Sequence, residues 1–261
     1  MRILSYSFET VLHMDEDVSE HSFVLRCQPT SSRSQTVLDA QTIVAPTCAL
    51  SAQTDGFGNL LQAGRIENPH REFSFYSTGS VMVDVASAGV EAAHPMYRRG
   101  SCYATPNPEI AAFAEYVLRV RMNAPVWDKA LLLSHELYGA MAYERGRTDT
   151  RTDAATAFAQ RTGVCQDYAH ILIALLRSQG LAARYVNGLV VGQGATHAWV
   201  EVHDGERWRG IDPTNDRIVD DGFIKLAHGR DFADCPIESG VFRGGARQSQ
   251  EVSAVVEEPF E

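Results

Sequence analysis

The hydrophobic positions of this chain change their period partway along it. Over residues 1–86 they alternate with polar positions in short runs, at 2–11, 20–28, 36–51, 59–66 and 72–86. That is the period of strands. The stretch Asp55-Gly56-Phe57-Gly58-Asn59 lies between two of the runs and predicts a hairpin turn. The region reads as a small β-sandwich-like domain. Residues 87–107 carry Gly89, Pro95, Gly100 and Pro106 and read as a linker. Helical spacing then takes over, with helices expected near 108–122, 128–143 and 152–162. Ile110, Phe113, Ala114, Val117 and Leu118 form the stripe of the first helix. Leu131, Leu132, His135, Leu137 and Tyr138 form that of the second, which puts His135 at the edge of the core.

A fourth helix is expected from Cys165 to Ser178. Tyr168, Ile171, Leu172, Leu175 and Leu176 recur at helical spacing, and Gly180 follows the end. Cys165 thus falls in the first turn, where free N–H groups and the positive end of the helix dipole favour an anionic sulfur. Strands follow, near 183–192, over 196–203 and over 206–212. Asp204-Gly205 between the last two predicts a two-residue hairpin that pairs His203 with Glu206. Counted back along both strands, that register sets His197 opposite Asp212, with Cβ atoms about 4.5–5.5 Å apart on one face. The helices and these strands make a unit over 108–245. The acidic end, 246–261, is expected to be an edge strand or a loose tail.

Composition narrows the setting. At 261 residues the chain can bury about three quarters of its unfolded surface without covalent staples. A net charge of −10 with no basic run argues against nucleic acid and against anionic membrane surfaces. No segment approaches the ~18 apolar residues of a membrane span. Five irregularly spaced cysteines do not form a disulfide framework. Cys27, Cys48, Cys102 and Cys235 read as buried or incidental, the N-terminus lacks a signal-peptide pattern, and a cytoplasmic location is expected.

The candidate chemistry is nucleophilic. A thiol, an imidazole and a carboxylate are what cysteine catalysis needs: an attacker, a base and a group that orients the base. Taken singly, Cys165 is more often a small core hydrophobe, His197 a strand residue and Asp212, before Pro213, a turn residue. Their joint placement, on a helix start and in one strand register, favours the chemical use. A metal site is the rival. No C-x-x-C or H-E-x-x-H occurs, and His170 lies on a different helix face from Cys165. Neither a metal nor another cofactor is expected.

The runs Gly163-Val164-Cys165-Gln166-Asp167-Tyr168-Ala169-His170, Ala183-Arg184-Tyr185-Val186-Asn187-Gly188, His197-Ala198-Trp199-Val200-Glu201 and Asp212-Pro213-Thr214-Asn215 resemble the core of the transglutaminase-like superfamily, its bacterial branch in particular. Thr54-Asp55-Gly56-Phe57-Gly58-Asn59 is similar to the β-rich domain that precedes many bacterial members, and 229–234 and 240–245 are similar to their C-terminal end. The resemblance implies an α+β papain-like fold, a Cys-bearing helix packed on an antiparallel sheet, with Cys165, His197 and Asp212 as catalytic triad. It implies acyl transfer at an amide, through a thioester. Water as acceptor gives a protease or amidase, and an amine gives a transglutaminase. Hydrolysis of a peptide or isopeptide-type amide is preferred, because amines compete with ~55 M water only where a dedicated site raises their effective concentration. Alternatives are a binding protein on an inactive version of the fold and an acyltransferase using a thioester donor. The expected partner is a protein or peptide substrate. The backbone N–H of Cys165 is a candidate oxyanion donor, with Tyr143 and Gln166 as weaker candidates for the second.

Overall fold

The structure is a computed structural model and describes residues 1–258. The first sheet grows from one long strand, β1 (Arg2–Leu25), in which Leu4, Tyr6, Phe8, Thr10, Leu12 and Met14 alternate inward. The strands expected at 2–11 and 20–28 are therefore one. The acidic stretch Asp15-Glu16-Asp17 breaks the alternation, yet the strand carries on through it, with one register shift across it and another between Ser19 and Ser22. β2 (Gln35–Ala45), β3 (Ser51–Thr54), β4 (Leu60–Ile66) and β5 (His70–Val83) follow. β3 and β4 form the expected hairpin, where the Asp55 carboxylate accepts the N–H groups of Phe57 and Asn59, both at 2.9 Å.

Four helices come next: α1 (Pro108–Leu118), α2 (Val126–Ala140), α3 (Ala154–Gln160) and α4 (Cys165–Ser178). Asn107 and Asp153 cap α1 and α3 by accepting N–H groups three residues on, each at 2.8 Å. On α2 the buried residues are Trp127, Ala130, Leu133, Ser134 and Leu137; of the expected stripe Leu137 is buried, Leu131 and Leu132 are partly buried, and His135 and Tyr138 are exposed. His135 is exposed and its Nδ1 lies 2.7 Å from Asp216. Trp127 on the first turn sets the phase that faces inward, and the expected stripe left it out.

The second sheet is antiparallel, with β6 (Ala183–Val190) and β7 (His197–His203) at its centre and β8 (Trp208–Asp212) and β9 (Phe223–Gly229) outside them. One face carries Tyr185, Ala198, Val200, Val202 and Ile211 against α4, which is buried from Asp167 to Arg177. Further along the same face, Leu189 and its partner Ile224 enter the core of the first sheet together with Leu226, while the opposite face carries Val186, Trp199 and Phe223. The chain then returns to that first sheet. β10 (Glu238–Arg243) pairs with the second half of β1, beyond its bend, and β11 (Gln248–Glu257) with its first half. With β5 also on the first half and β4 on the second, β1 curls the sheet around its core. The stretch expected to be an edge strand or a loose tail is thus largely a strand; residues 259–261 lie outside the described residues.

Arg177, at the end of α4, ties the linker to this frame. It is buried, and all its N–H groups reach acceptors: Tyr97 O at 3.1 Å, Ser101 Oγ at 2.8 Å, Ala104 O at 3.2 Å, Ala183 O at 3.0 Å and Arg230 O at 2.7 Å. Burial pulls its pKa down to about 10, which still leaves it charged at neutral pH.

Candidate active site

The start of α4 is held by Asp167. Its buried carboxylate reaches back to the Val164 N–H at 2.7 Å and accepts the Thr148 hydroxyl at 2.7 Å. Burial pushes this carboxyl above the usual range, although both hydrogen bonds oppose that shift. Gly163 makes room for it, since a Cβ there would lie 2.6 Å from the Asp167 side chain. The reach-back fixes the first helical turn and so the position of Cys165, which is half-buried against the helical core.

The hairpin delivers the other two residues by a register different from the one expected. Asp204 N–H donates to Arg207 O at 3.0 Å, so Gly205 and Glu206 form the tip and His203 pairs with Trp208. The turn has moved by one residue. Gly205 takes a positive φ of 118° at the first tip position, and the Asp204 carboxylate accepts the N–H groups of Glu206 and Arg207, each at 3.0 Å. Continuing this pairing puts Asp212 level with Trp199 rather than His197. A slip of two residues keeps every side chain on its face, whereas a slip of one would have reversed it. Asp212 therefore remains on the His197 face, as a diagonal neighbour within side-chain reach.

His197 Nε2 lies 2.9 Å from Asp212 Oδ2. The Cys165 thiol is close enough to this imidazole to influence its charge. Burial alone would lower the imidazole pKa, but the bond to Asp212 and the nearby Cys165 outweigh it and push it up to about 9. Asp212 is fully buried. Burial opposes its charge, yet His197, Asn215 and Arg217 hold it below the usual carboxylate range. The structure thus brings Cys165, His197 and Asp212 together.

Sequence reasoning missed the shell around Asp212. Asn215 Nδ2 donates to Oδ2 at 2.8 Å, Thr214 N–H to Oδ1 at 3.1 Å, and Arg217 Nε to Oδ2 at 3.4 Å. Arg217 comes from the short strand Arg217–Ile218, which pairs with β8 and places it opposite Asp212. Its guanidinium also covers the Phe223 ring, which stands beside His197. Thr214 and Asn215 already follow Asp212 in the quoted motif; Arg217 has no local signal, because only the strand pairing brings it back. Glu201 lies away from this cluster and forms ion pairs with Arg184 and Lys225. The Gln166 amide nitrogen is bonded to Thr150 O at 3.2 Å, and Tyr143 is exposed.

A cavity of about 340 Å³ adjoins the cluster, lined by Gln166 and Thr196, the residues next to Cys165 and His197, and by β1 and β11 on the far side. Among the described residues no helix is long and apolar enough to cross a membrane.

Comparison with known proteins identifies the family. The family model of the transglutaminase-like superfamily matches residues 112–213. That of the bacterial transglutaminase-like N-terminal region matches residues 4–82. An uncharacterised protein of Mycobacterium tuberculosis H37Rv is 31% identical over 264 residues, covering 88% of this chain and 84% of that one. One of Mycobacterium leprae is 27% identical over 255 residues, covering 89% of each. The crystal structure of a proposed cysteine protease from Cytophaga hutchinsonii superposes with a TM-score of 0.80 at 23% identity, over 100% of this chain and 93% of that one. The chain belongs to the transglutaminase-like superfamily and carries the N-terminal region of its bacterial members.

Proposed function

We propose that this protein is a thiol-dependent acyl-transfer enzyme that hydrolyses a peptide or isopeptide-type amide, with Cys165 as nucleophile, His197 as general acid and base, and Asp212 as orienter. The observation that carries the reading is the placement of His197 between the Asp212 carboxylate, at 2.9 Å, and the thiol at the start of α4. Raised to about 9, His197 is an imidazolium at neutral pH and supports a thiolate beside it. The thiolate adds to the amide carbonyl, and the Cys165 N–H at the helix start is a donor for the oxyanion. His197 gives its proton to the leaving amine and the C–N bond breaks, leaving a thioester on sulfur. Water then adds, with His197 taking its proton; the C–S bond breaks, releasing the acid and restoring the thiolate–imidazolium pair. Asp212 keeps the imidazole in one orientation and balances its charge throughout.

The proposed substrate is a protein or peptide and the proposed setting the cytoplasm, which suits five free cysteines. A library of thiol-reactive peptidyl ketones tests the reading. Wild type should be labelled at Cys165 with side-chain preference, and the matching peptide amides should be cleaved. Turnover retained in Cys165→Ala would place the chemistry elsewhere.

A further inference from the structure

The cavity beside the cluster contains a charge that no residue answers. Its walls are mixed: Phe8 from β1, Val252 from β11 and Phe232 supply apolar surface, while Gln166 and Thr196, the chain neighbours of Cys165 and His197, add polar groups. Glu238, from the start of β10, is the one charged side chain that lines it. The Glu238 carboxyl is half-buried, and burial pushes it above the usual carboxylate range with no opposing cause. Among the described residues it has neither an ion-pair nor a hydrogen-bond partner. Several other carboxylates with little exposure have a cationic partner, Asp212 with His197, Glu201 with Arg184 and Lys225, and Asp234 with Arg230, while Asp167 and Asp231 accept hydrogen bonds. A half-buried carboxylate without a partner has lost part of its hydration, and a cation entering from outside can pair with it.

We infer that this cavity is a substrate subsite in which Glu238 receives a positively charged side chain of the peptide acylating Cys165. The inference rests on the thiol reading above. It gives the N-terminal sheet a part in the site, because β1, β10 and β11 supply much of the cavity's lining. An ammonium fits the lone carboxylate and the threonine and glutamine side chains around it, whereas an anionic side chain is repelled and an aliphatic one leaves Glu238 unpaired.

The test uses the full chain and peptidyl acyloxymethyl ketones that differ only by a lysyl or a norleucyl side chain, placed in turn at each residue of the probe. At one position the lysyl probe should label Cys165 at least about tenfold faster than the norleucyl probe, the scale of a hydrogen-bonded charge pair. In Glu238→Gln that ratio should fall to about one, while Glu238→Asp keeps a lysyl preference. The melting midpoint of Glu238→Gln should stay at or above that of wild type, because the group removed is an unpaired charge. Equal labelling by both probes at every position of wild type overturns the subsite alone, as does a ratio that survives Glu238→Gln. Failure of both probes to label wild-type Cys165 overturns the thiol reading, and the subsite with it.

Discussion

His197 shows how single contacts set the chemistry. Burial would make it a weaker base than a free imidazole, and two partners reverse that, so its charge persists through neutral pH to about 9. The folded value lies above the unfolded one of about 6.5. The stability it contributes is therefore fully present below about 6.5 and is lost as pH rises through about 9. Asp212→Asn keeps the shape of the shell but removes the charge that balances the imidazolium. It should lower the His197 midpoint by about 1–3 units, read by NMR from the ring protons. An unchanged midpoint would mean that Asp212 does not set the charge of His197. Cys165→Ala removes one sulfur from a half-buried position and should change stability by about 1 kcal/mol or less in denaturant melts.

At the scale of elements, the sequence declared most of the site. The thiol could be placed on a helix start because the helical periodicity begins there and Gly180 closes it. Face could be read from the hairpin because alternation fixes it. Exact register could not, because Asp204-Gly205 and Gly205-Glu206 both offer a glycine to the tip, and the Asp204 carboxylate decides between them through two N–H bonds. Arg217 was invisible because its role depends on a strand of two residues. The linker was legible as a break but not as an anchored one, since its acceptors for Arg177 are mainly carbonyls that any sequence carries. Arg177→Met should cost on the order of 3 kcal/mol or more in stability, by leaving several buried carbonyls unpaired at once. Arg177→Lys should recover only part, because an ammonium has fewer donors and no fork. A melt indistinguishable from wild type in Arg177→Met would show that water replaces the guanidinium freely. Gly163→Ala should slow labelling of Cys165, since the Asp167 side chain must move from 2.6 Å; an unaltered rate would detach the reach-back bond from the site.

The whole molecule is closed by its own C-terminal segment. Alternation in β11 is weak and acidic, so the sequence could suggest an edge strand but not its partner. That partner, β1, is more than two hundred residues away, at the other end of the chain. β11 covers β1 over ten paired positions, Ser5 to Met14, and forms part of the cavity wall beside the cluster. A chain ended at residue 245 would leave that stretch of β1 as an open edge beside exposed core, and it should aggregate or lose its cooperative melt. A soluble truncated chain with an unchanged melting midpoint would contradict this. The central claim, however, is coupling among three residues drawn from α4, β7 and β8, and one measurement addresses it directly. It is the rate of iodoacetamide alkylation at Cys165 against pH, resolved from the other cysteines by peptide mass spectrometry, in wild type, Asp212→Asn and His197→Ala. Wild type should react through a plateau that extends to acid pH, and both variants should lose that plateau. Three coincident profiles, each rising only in the alkaline range where an ordinary thiol ionises, would show that Cys165, His197 and Asp212 are neighbours without a shared chemistry.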